Sequence, residues 1–354
     1  MDPYDWRFIG FRSLILLFLL GCGQSPIPSE FSYRIQELGS LGGNDVLPYS
    51  LNNRGEVVGV SGTQIGGTNA HAFFWSKEKG MVNIWNKFSG VTPTDFSRAM
   101  VINDQGWLVV FVNSPSDIVY RLDQGILPIE KPGGQSMHMV DLNDDGMILG
   151  AHYDAYGACE PFIWSATDGF DYFDGPGWTL RNSIALNDAG DVLIQAATQD
   201  GTVTCSFLWK RNDGWKKLPP LDGFENCFAV DMNDKGQIVG VSSPSTQAPG
   251  IMRTGYVACL WEPDSVKTLG EDIYPTAIND EGTVVGRTSD RNSAVVLRDG
   301  VWRNLSDLIE GRSDWIDFTE AVDINDSGQI VGYGFKKDGQ FGFILTPLYE
   351  QQNE

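Results

Sequence analysis

Positive charge is scarce in this chain of 354 residues, where 25 Lys and Arg face 46 Asp and Glu for a net charge of −21. A protein that grips phosphate needs a basic surface, so nucleic acid is excluded as a partner, and neutral or basic partners are favoured. Histidine is rarer still, with three scattered copies at His71, His138 and His152, and none of the five cysteines has Cys-x-x-Cys spacing. Structural zinc sites use such ligand sets, so none is expected. The sequence also lacks a Gly-x-Ser-x-Gly elbow and a His spaced to serve a nucleophile, and no cofactor motif stands out. Carboxylates are so plentiful that any two can be nominated as acid and base, and their abundance therefore identifies none. Hydrophobic residues still make up 42% of the chain and aromatics 12%, the composition of a folded protein.

The N-terminus is set apart. Arg7 and Arg12 precede the apolar run Leu14 to Leu20, which leads into Gly21 and Cys22. The run is shorter than the roughly 20 residues that span a bilayer, and it reads as an export signal. Leu19-Leu20-Gly21-Cys22 resembles the bacterial lipobox, which implies cleavage before Cys22 and its acylation. Two or three acyl chains make a stable anchor. The expected division is a lipoprotein signal peptide over 1–21, a lipidated tether over 22–30, a folded domain over 31–348 and a tail over 349–354, exported to the cell envelope and anchored to its membrane.

The folded part repeats itself. Asn-(Asn/Asp)-x-Gly recurs seven times, beginning at Asn52, Asn103, Asn143, Asn187, Asn233, Asn279 and Asn325, with spacings between 40 and 51 residues. Such a period matches a propeller blade of four strands. Strand a precedes the Asn, as in Ala321-Val322-Asp323-Ile324, and strand b follows the Gly, as in Val284-Val285-Gly286. Strand c carries an aromatic run such as His71 to Trp75, and strand d follows an Asp-Gly turn such as Asp213-Gly214. The Asn side chain suits a tight hairpin, and the Gly supplies the positive φ that closes it. The seventh unit ends at Leu348 without a strand d, while Tyr33 to Gly39 is an orphan strand at the other end. Pairing the two closes an all-β, seven-bladed β-propeller of four-stranded blades, with the N-terminal strand completing the last blade. Closure protects strand edges; a linear β-solenoid, the alternative, would leave both ends uncapped.

The unit Ala-x-Ile-Asn-Asp-x-Gly-x-Val-Val-Gly, followed by Ala-Phe-x-Trp and Gly-x-x-x-Leu, resembles the HAF family of bacterial extracellular repeat proteins, with His71-Ala72-Phe73 carrying the eponymous triplet. Copies two and four depart from it, with Val110 and Ile194 where the others have Gly59, Gly150, Gly240, Gly286 and Gly332. The resemblance implies export and a propeller-like repeat, and it supplies no catalytic residues.

In a propeller the a–b and c–d turns share one face, and the b–c and d–a connections share the other. The turns here are short and uniform, whereas the connections vary, as between Asn86 and Arg98 or Ser306 and Glu320. Variable loops on a rigid scaffold are where binding sits. They carry Trp178 and Trp315 among acids such as Asp174 and Asp317, a pairing that suits sugar rings or basic protein segments. Five residues before each repeat Asn stand Leu47, Arg98, His138, Asn182, Phe228, Tyr274 and Glu320, a ring of mixed chemistry. Arg98, His138, Asn182, Phe228, Tyr274, Glu320, Trp178 and Trp315 are thus the candidate binding face, for a protein or glycan ligand of a monomeric, non-catalytic module. An enzyme acting on extracellular polysaccharide and a periplasmic envelope-assembly scaffold are the alternatives.

Two further expectations concern individual residues. Asp141, Asn143 and Asp145 match the opening of a calcium loop only weakly, since its twelfth position is His152 rather than Glu and copy five puts Lys235 among the ligands, so the tetrad reads as a turn and no metal is expected. Export places the cysteines where disulfides persist. Cys205–Cys227 is the preferred link, Cys159–Cys205 its rival, and Cys259 a buried thiol.

Overall fold

The computed structural model describes residues 31–87, 96–112, 117–129, 136–153, 159–244, 255–311 and 314–349. Residues 1–30, Cys22 among them, and the tail from 350 lie outside the described residues. Seven sheets follow one another along the chain, six of them four-stranded, antiparallel and in sequence order; the last adds the short strand Ile309–Glu310, parallel to the N-terminal strand, at its edge. Their first strands are Val46–Leu51, Ser97–Ile102, Ser136–Leu142, Thr179–Leu186, Asn226–Met232, Ile273–Ile278 and Asp317–Ile324. In the last sheet Phe31–Glu37 pairs antiparallel with Gly339–Tyr349, with Tyr33 opposite Pro347 and Ile35 opposite Leu345. The protein is therefore a seven-bladed β-propeller closed by its N-terminal strand, as the orphan strand predicts, with the last strand running one residue past the expected boundary. Among the described residues helix is confined to Leu305–Leu308 and the short turn Trp85–Lys87.

Strand b is largely buried in every blade; Ile238–Ser243 is buried at every residue. Strand a bulges against it, shifting register four to two residues before the repeat Asn. The bulge pushes a carbonyl into strand b. A Cβ at Gly59 would lie 2.2 Å from the Leu47 carbonyl oxygen, and one at Gly332 would lie 2.3 Å from that of Glu320. In these blades glycine leaves room for the carbonyl and lets the rings of Phe73 and Phe343 lie over the gap, whereas blades two and four carry the same bulge with Val110 and Ile194 at this position.

The turns join the blades to one another. In every repeat the Asn Oδ1 accepts the N–H four residues on, which ties the turn to itself. Its Nδ2 donates to the backbone carbonyl of the next repeat Asn: Asn52 to Asn103, Asn103 to Asn143, and so on to Asn325, which returns to Asn52 at 3.0 Å. The following position forms a second closed ring, in which each N–H donates to the side-chain Oδ1 of the next blade at 2.7–2.9 Å, from Asn53 to Asp104 and finally from Asp326 back to Asn53. At about 1 kcal/mol net per bond, two such rings fasten the blades by something on the order of 10 kcal/mol.

A third set of bonds lines the channel. Strand a is the inner edge of each blade and the repeat Asn N–H bonds strand b, so the N–H just before it faces away from the sheet, and four side chains serve all seven. Asp323 accepts from Ile324 and Leu51, Asp141 from Leu142 and Leu186, and Asp231 from Met232 and Ile278. Ser50 accepts from Ile102. These carboxyls are half-buried in the wall of a narrow channel, with protein around them. Burial raises Asp141 to about 7, Asp231 to about 8 and Asp323 to about 6, against the pull of the N–H bonds, and they repel one another.

Candidate functional site

The same inner strands have opposite characters at their two ends. At the turn face the mouth of the channel, about 190 Å³, is lined by one repeated set: an apolar residue, the Asn, and an Asp or Asn. At the loop face each strand carries the residue five before the Asn, opposite the residue that follows the strand-b Gly or its substitute. The pairs are Leu47 and Val60, Arg98 and Phe111, His138 and Ala151, Asn182 and Gln195, Phe228 and Val241, Tyr274 and Arg287, and Glu320 and Tyr333. All seven residues of the predicted ring therefore stand at one end of the channel. Phe111, Arg287 and Tyr333 were missed, although the residue after the repeat Gly varies as freely in sequence as its partner does.

Two polar clusters occupy this end. Across blades six and seven, Glu320 accepts from Arg287 Nε at 3.1 Å and from the Tyr333 hydroxyl at 2.8 Å, while the Arg287 guanidinium lies 4.9 Å from the Tyr274 ring centre. Burial pushes the Tyr274 phenol to about 12, and burial together with the Glu320 bond raises that of Tyr333. Across blades two and three, the Arg98 guanidinium rests 4.6 Å from the Phe111 ring centre, and the His138 ring is stacked on Phe111 at 6.4 Å. Asp117, which precedes strand c of blade two, accepts the Met139 N–H at 2.8 Å and places Oδ2 3.7 Å from His138 Nδ1. Burial raises Asp117 to about 6, opposed by the Met139 N–H and then by His138 and Arg98. No spacing rule in the sequence singles out Asp117, because the repeat has no acid there in the other blades.

The remaining pair, Asn182 Nδ2 to Gln195 Oε1 at 3.2 Å, is a surface bond. The two tryptophans differ from expectation. Trp178 packs edge-on against Phe207 beneath the Lys217 ammonium, and Trp315 stacks on Phe318 and against Phe343 beneath Lys336. Both are half-buried and hold loops to blades rather than standing free as plates.

At the weak calcium match the oxygens of Asp141 are taken by two N–H groups, and Asn143 serves its own turn and the next blade. The disulfide expectation is corrected. Cys205 and Cys227 are buried neighbours but free thiols, so the expected disulfide is absent as a bond. Cys227 donates to the Leu218 carbonyl at 3.1 Å. The Cys205 thiol is drawn down to about 7, first by its bond with Cys227 and also by Lys217, while Cys227 is raised. Cys159 is half-buried, and Cys259 is buried as expected. A groove of about 520 Å³ opens on the turn face between blades four and five. Its lysines are engaged, Lys210 by Asp191, Lys216 by the Pro263 carbonyl and Lys235 by the Asp280 carbonyl.

No protein-family model matches the sequence, and neither does any curated protein. Among solved structures the chain is similar to virginiamycin B lyase from Staphylococcus aureus, with 10% identity over 90% of this chain and 99% of that one and a TM-score of 0.50. It is also similar to the β-propeller domain of the Trilobed protease from Pyrococcus furiosus, with 11% identity over 86% and 84% of the two chains and a TM-score of 0.47. The likeness is one of fold: the chain is a β-propeller, and identities this low carry no activity with them.

Proposed function

We propose that this protein is a non-catalytic binding module, displayed from the bacterial envelope by acylated Cys22, which takes a glycan or protein ligand at the loop-face end of its inner strands. The observation that carries this reading is the contrast between the ends of those strands. One end repeats the same residues and bonds in every blade, as ring closure demands; the other, on the same scaffold, differs in every blade. Acids and bases at the loop face hold their neighbours, as Glu320 holds Arg287 and Tyr333, which suits a fixed recognition surface. Membership of the HAF-repeat family is part of the same proposal and agrees with export.

The test is a glycan array and a pull-down from envelope extract with the full chain, repeated with Phe228→Ala and Tyr274→Ala. Capture lost in both variants, with no product released on incubation, is the expected result. Released oligosaccharide would replace the module with a polysaccharide-cleaving enzyme. Labelling of wild-type protein but not Cys22→Ser by a palmitate analogue tests the anchor. A protein-docking role draws on one feature, the exposed pair Ile316 and Phe335 on blade seven, at 69% and 41% exposure. Protein capture that depends on these two and not on Phe228 or Tyr274 would favour the scaffold.

A further inference from the structure

One turn at the loop face carries a strain that its counterpart avoids. In blade four, Thr198 N–H bonds the Val203 carbonyl, Gly201 N–H bonds the Thr198 carbonyl, and Asp200 Oδ1 accepts the Thr202 N–H at 3.1 Å. Blade six builds the same turn from Thr288 to Ser293, where Arg291 N–H bonds the Thr288 carbonyl and Asp290 Oδ1 accepts the Asn292 N–H at 3.1 Å. Arg291 thus stands where blade four has Gly201, and both have positive φ, 60° and 72°. The other non-glycine residues with positive φ among the described ones are Asp272 and Asp299. Aspartate tolerates this conformation, whereas a long side chain adopts it at a cost. Since glycine would serve the turn better, the reason for Arg291 lies in its side chain.

That side chain is exposed, and the turn brings it to the cluster on blades six and seven. The turn follows directly on Arg287, and its Ser289 N–H bonds the carbonyl of Asp272, two residues before Tyr274. The charge of Arg291 acts on the phenols of Tyr256, Tyr274 and Tyr333 alike. Arg287 spends Nε on Glu320, and its terminal nitrogens make no hydrogen bond among the described residues. With 9% of the Arg287 side chain and 21% of the Glu320 side chain exposed, an oriented fork of N–H donors opens to the surface beside a carboxylate. Glu320 takes one donor on each oxygen, Arg287 and Tyr333, which leaves each a further lone pair. Asp272 and Asp290 are spent on the turn.

A ligand that fits offers paired acceptors to the arginines and a donor to Glu320. A carboxylate matches a guanidinium fork in two parallel bonds, and a hydroxyl on the same ligand can donate to Glu320 while another accepts from the Tyr274 phenol. A polyphosphate would bring several charges against Glu320 and the net charge of −21, and a basic ligand would meet two arginines. We infer that Arg287, Arg291 and Tyr274 form a subsite for the carboxylate of a single uronic acid unit in a glycan. The inference rests on the loop-face reading above and narrows its ligand to an acidic sugar.

The test uses the full chain in a detergent without a sugar headgroup, with methyl β-glucuronide and methyl α-galacturonide as probes, the matching methyl glucoside and galactoside as neutral controls, and N-acetylalanine as a peptide carboxylate. Binding is read by saturation-transfer NMR. At least one uronide is expected to bind about tenfold more tightly than its neutral counterpart, and Arg287→Lys and Arg291→Gly each weaken it about tenfold. Arg291→Gly relieves the strained turn, so its melting temperature should rise by about a degree or more while binding is lost, which separates ligand contact from folding. A fall in melting temperature would make Arg291 a structural brace and overturn the inference. Equal binding of uronide and neutral glycoside overturns it, as does tighter binding of N-acetylalanine or uronide binding that survives both arginine variants. Capture of other glycans or of protein, with no uronide bound, leaves the loop-face module standing without this subsite. If no probe, array glycan or envelope protein is captured, both the subsite and the module fall.

Discussion

The inner strands of this propeller are one element with two fates. At the turn face, seven copies of Asn-(Asn/Asp)-x-Gly make the same bonds seven times, because a ring closes only if every joint passes its hydrogen bond to the next. Each Asn must both accept from its own turn and donate to its neighbour, which an amide does and a carboxylate does not. At the loop face no such circuit exists, and the positions drift from Leu47 to Arg98 to Glu320. Repetition therefore marks where the fold is held, and divergence marks where the molecule is free to specialise.

The sharpest way to break this comparison is Asn279→Asp. It removes the donor to the Asn325 carbonyl and sets a buried carboxylate against that oxygen. A loss of about 3 kcal/mol or more is expected in urea unfolding, with ligand affinity of the folded fraction unchanged. A loss near zero would show that the ring does not hold the blades.

Next in size is the response to pH. Asp323, Asp141 and Asp231 sit at about 6, 7 and 8 in the folded chain, above the ordinary carboxyl value of 3.8. A folded chain that binds more protons than the unfolded one loses stability as pH rises, so their contribution is fully present below about pH 4 and gone above pH 8. Melting temperature should fall by several degrees between pH 5 and pH 9, and Asp231→Asn should flatten the slope. A profile that rises over this window would contradict the channel assignment.

At the loop face the expected stability effects are smaller. Glu320→Gln weakens a half-buried ion pair with Arg287 and should cost about 1 kcal/mol, while lowering the titration point of Tyr333, measured by ultraviolet absorbance. Smallest is Asn182→Ala, which removes one exposed bond to Gln195 and should change stability by less than about 0.5 kcal/mol. If Asn182→Ala destabilises as much as Asn279→Asp, the two ends do not differ in the way proposed.

The repeat Asn and Gly were legible in the sequence because their roles are local and recur: a turn that needs an amide and a positive φ needs them in every blade. The φ of all seven turn glycines falls between 72° and 78°. The closing strand was legible for a similar reason, since one orphan strand and one blade short of a strand leave a single solution. The ring five before each Asn was legible as a ring. Asp117, Phe111 and Arg287 were not, because what they do depends on neighbours in other strands or other blades. Trp178 and Trp315 misled because sequence reports an aromatic in a loop but not what covers its face. What the oxygens of Asp141 do was likewise not legible, since they are claimed by edge-strand N–H groups of two blades.

By itself the sequence determined the architecture: seven blades, the order of strands within them, the closing strand and the face on which variation collects. Periodicity carries that information, because each strand makes its neighbours from residues close by in the chain. Only the tertiary structure decided that the turns lock into two continuous rings, that three aspartates and a serine serve seven inner-edge amides, and that Arg287, Tyr274 and Glu320 meet at one end of the channel. Those facts depend on which blade faces which, and that is set when the ring closes.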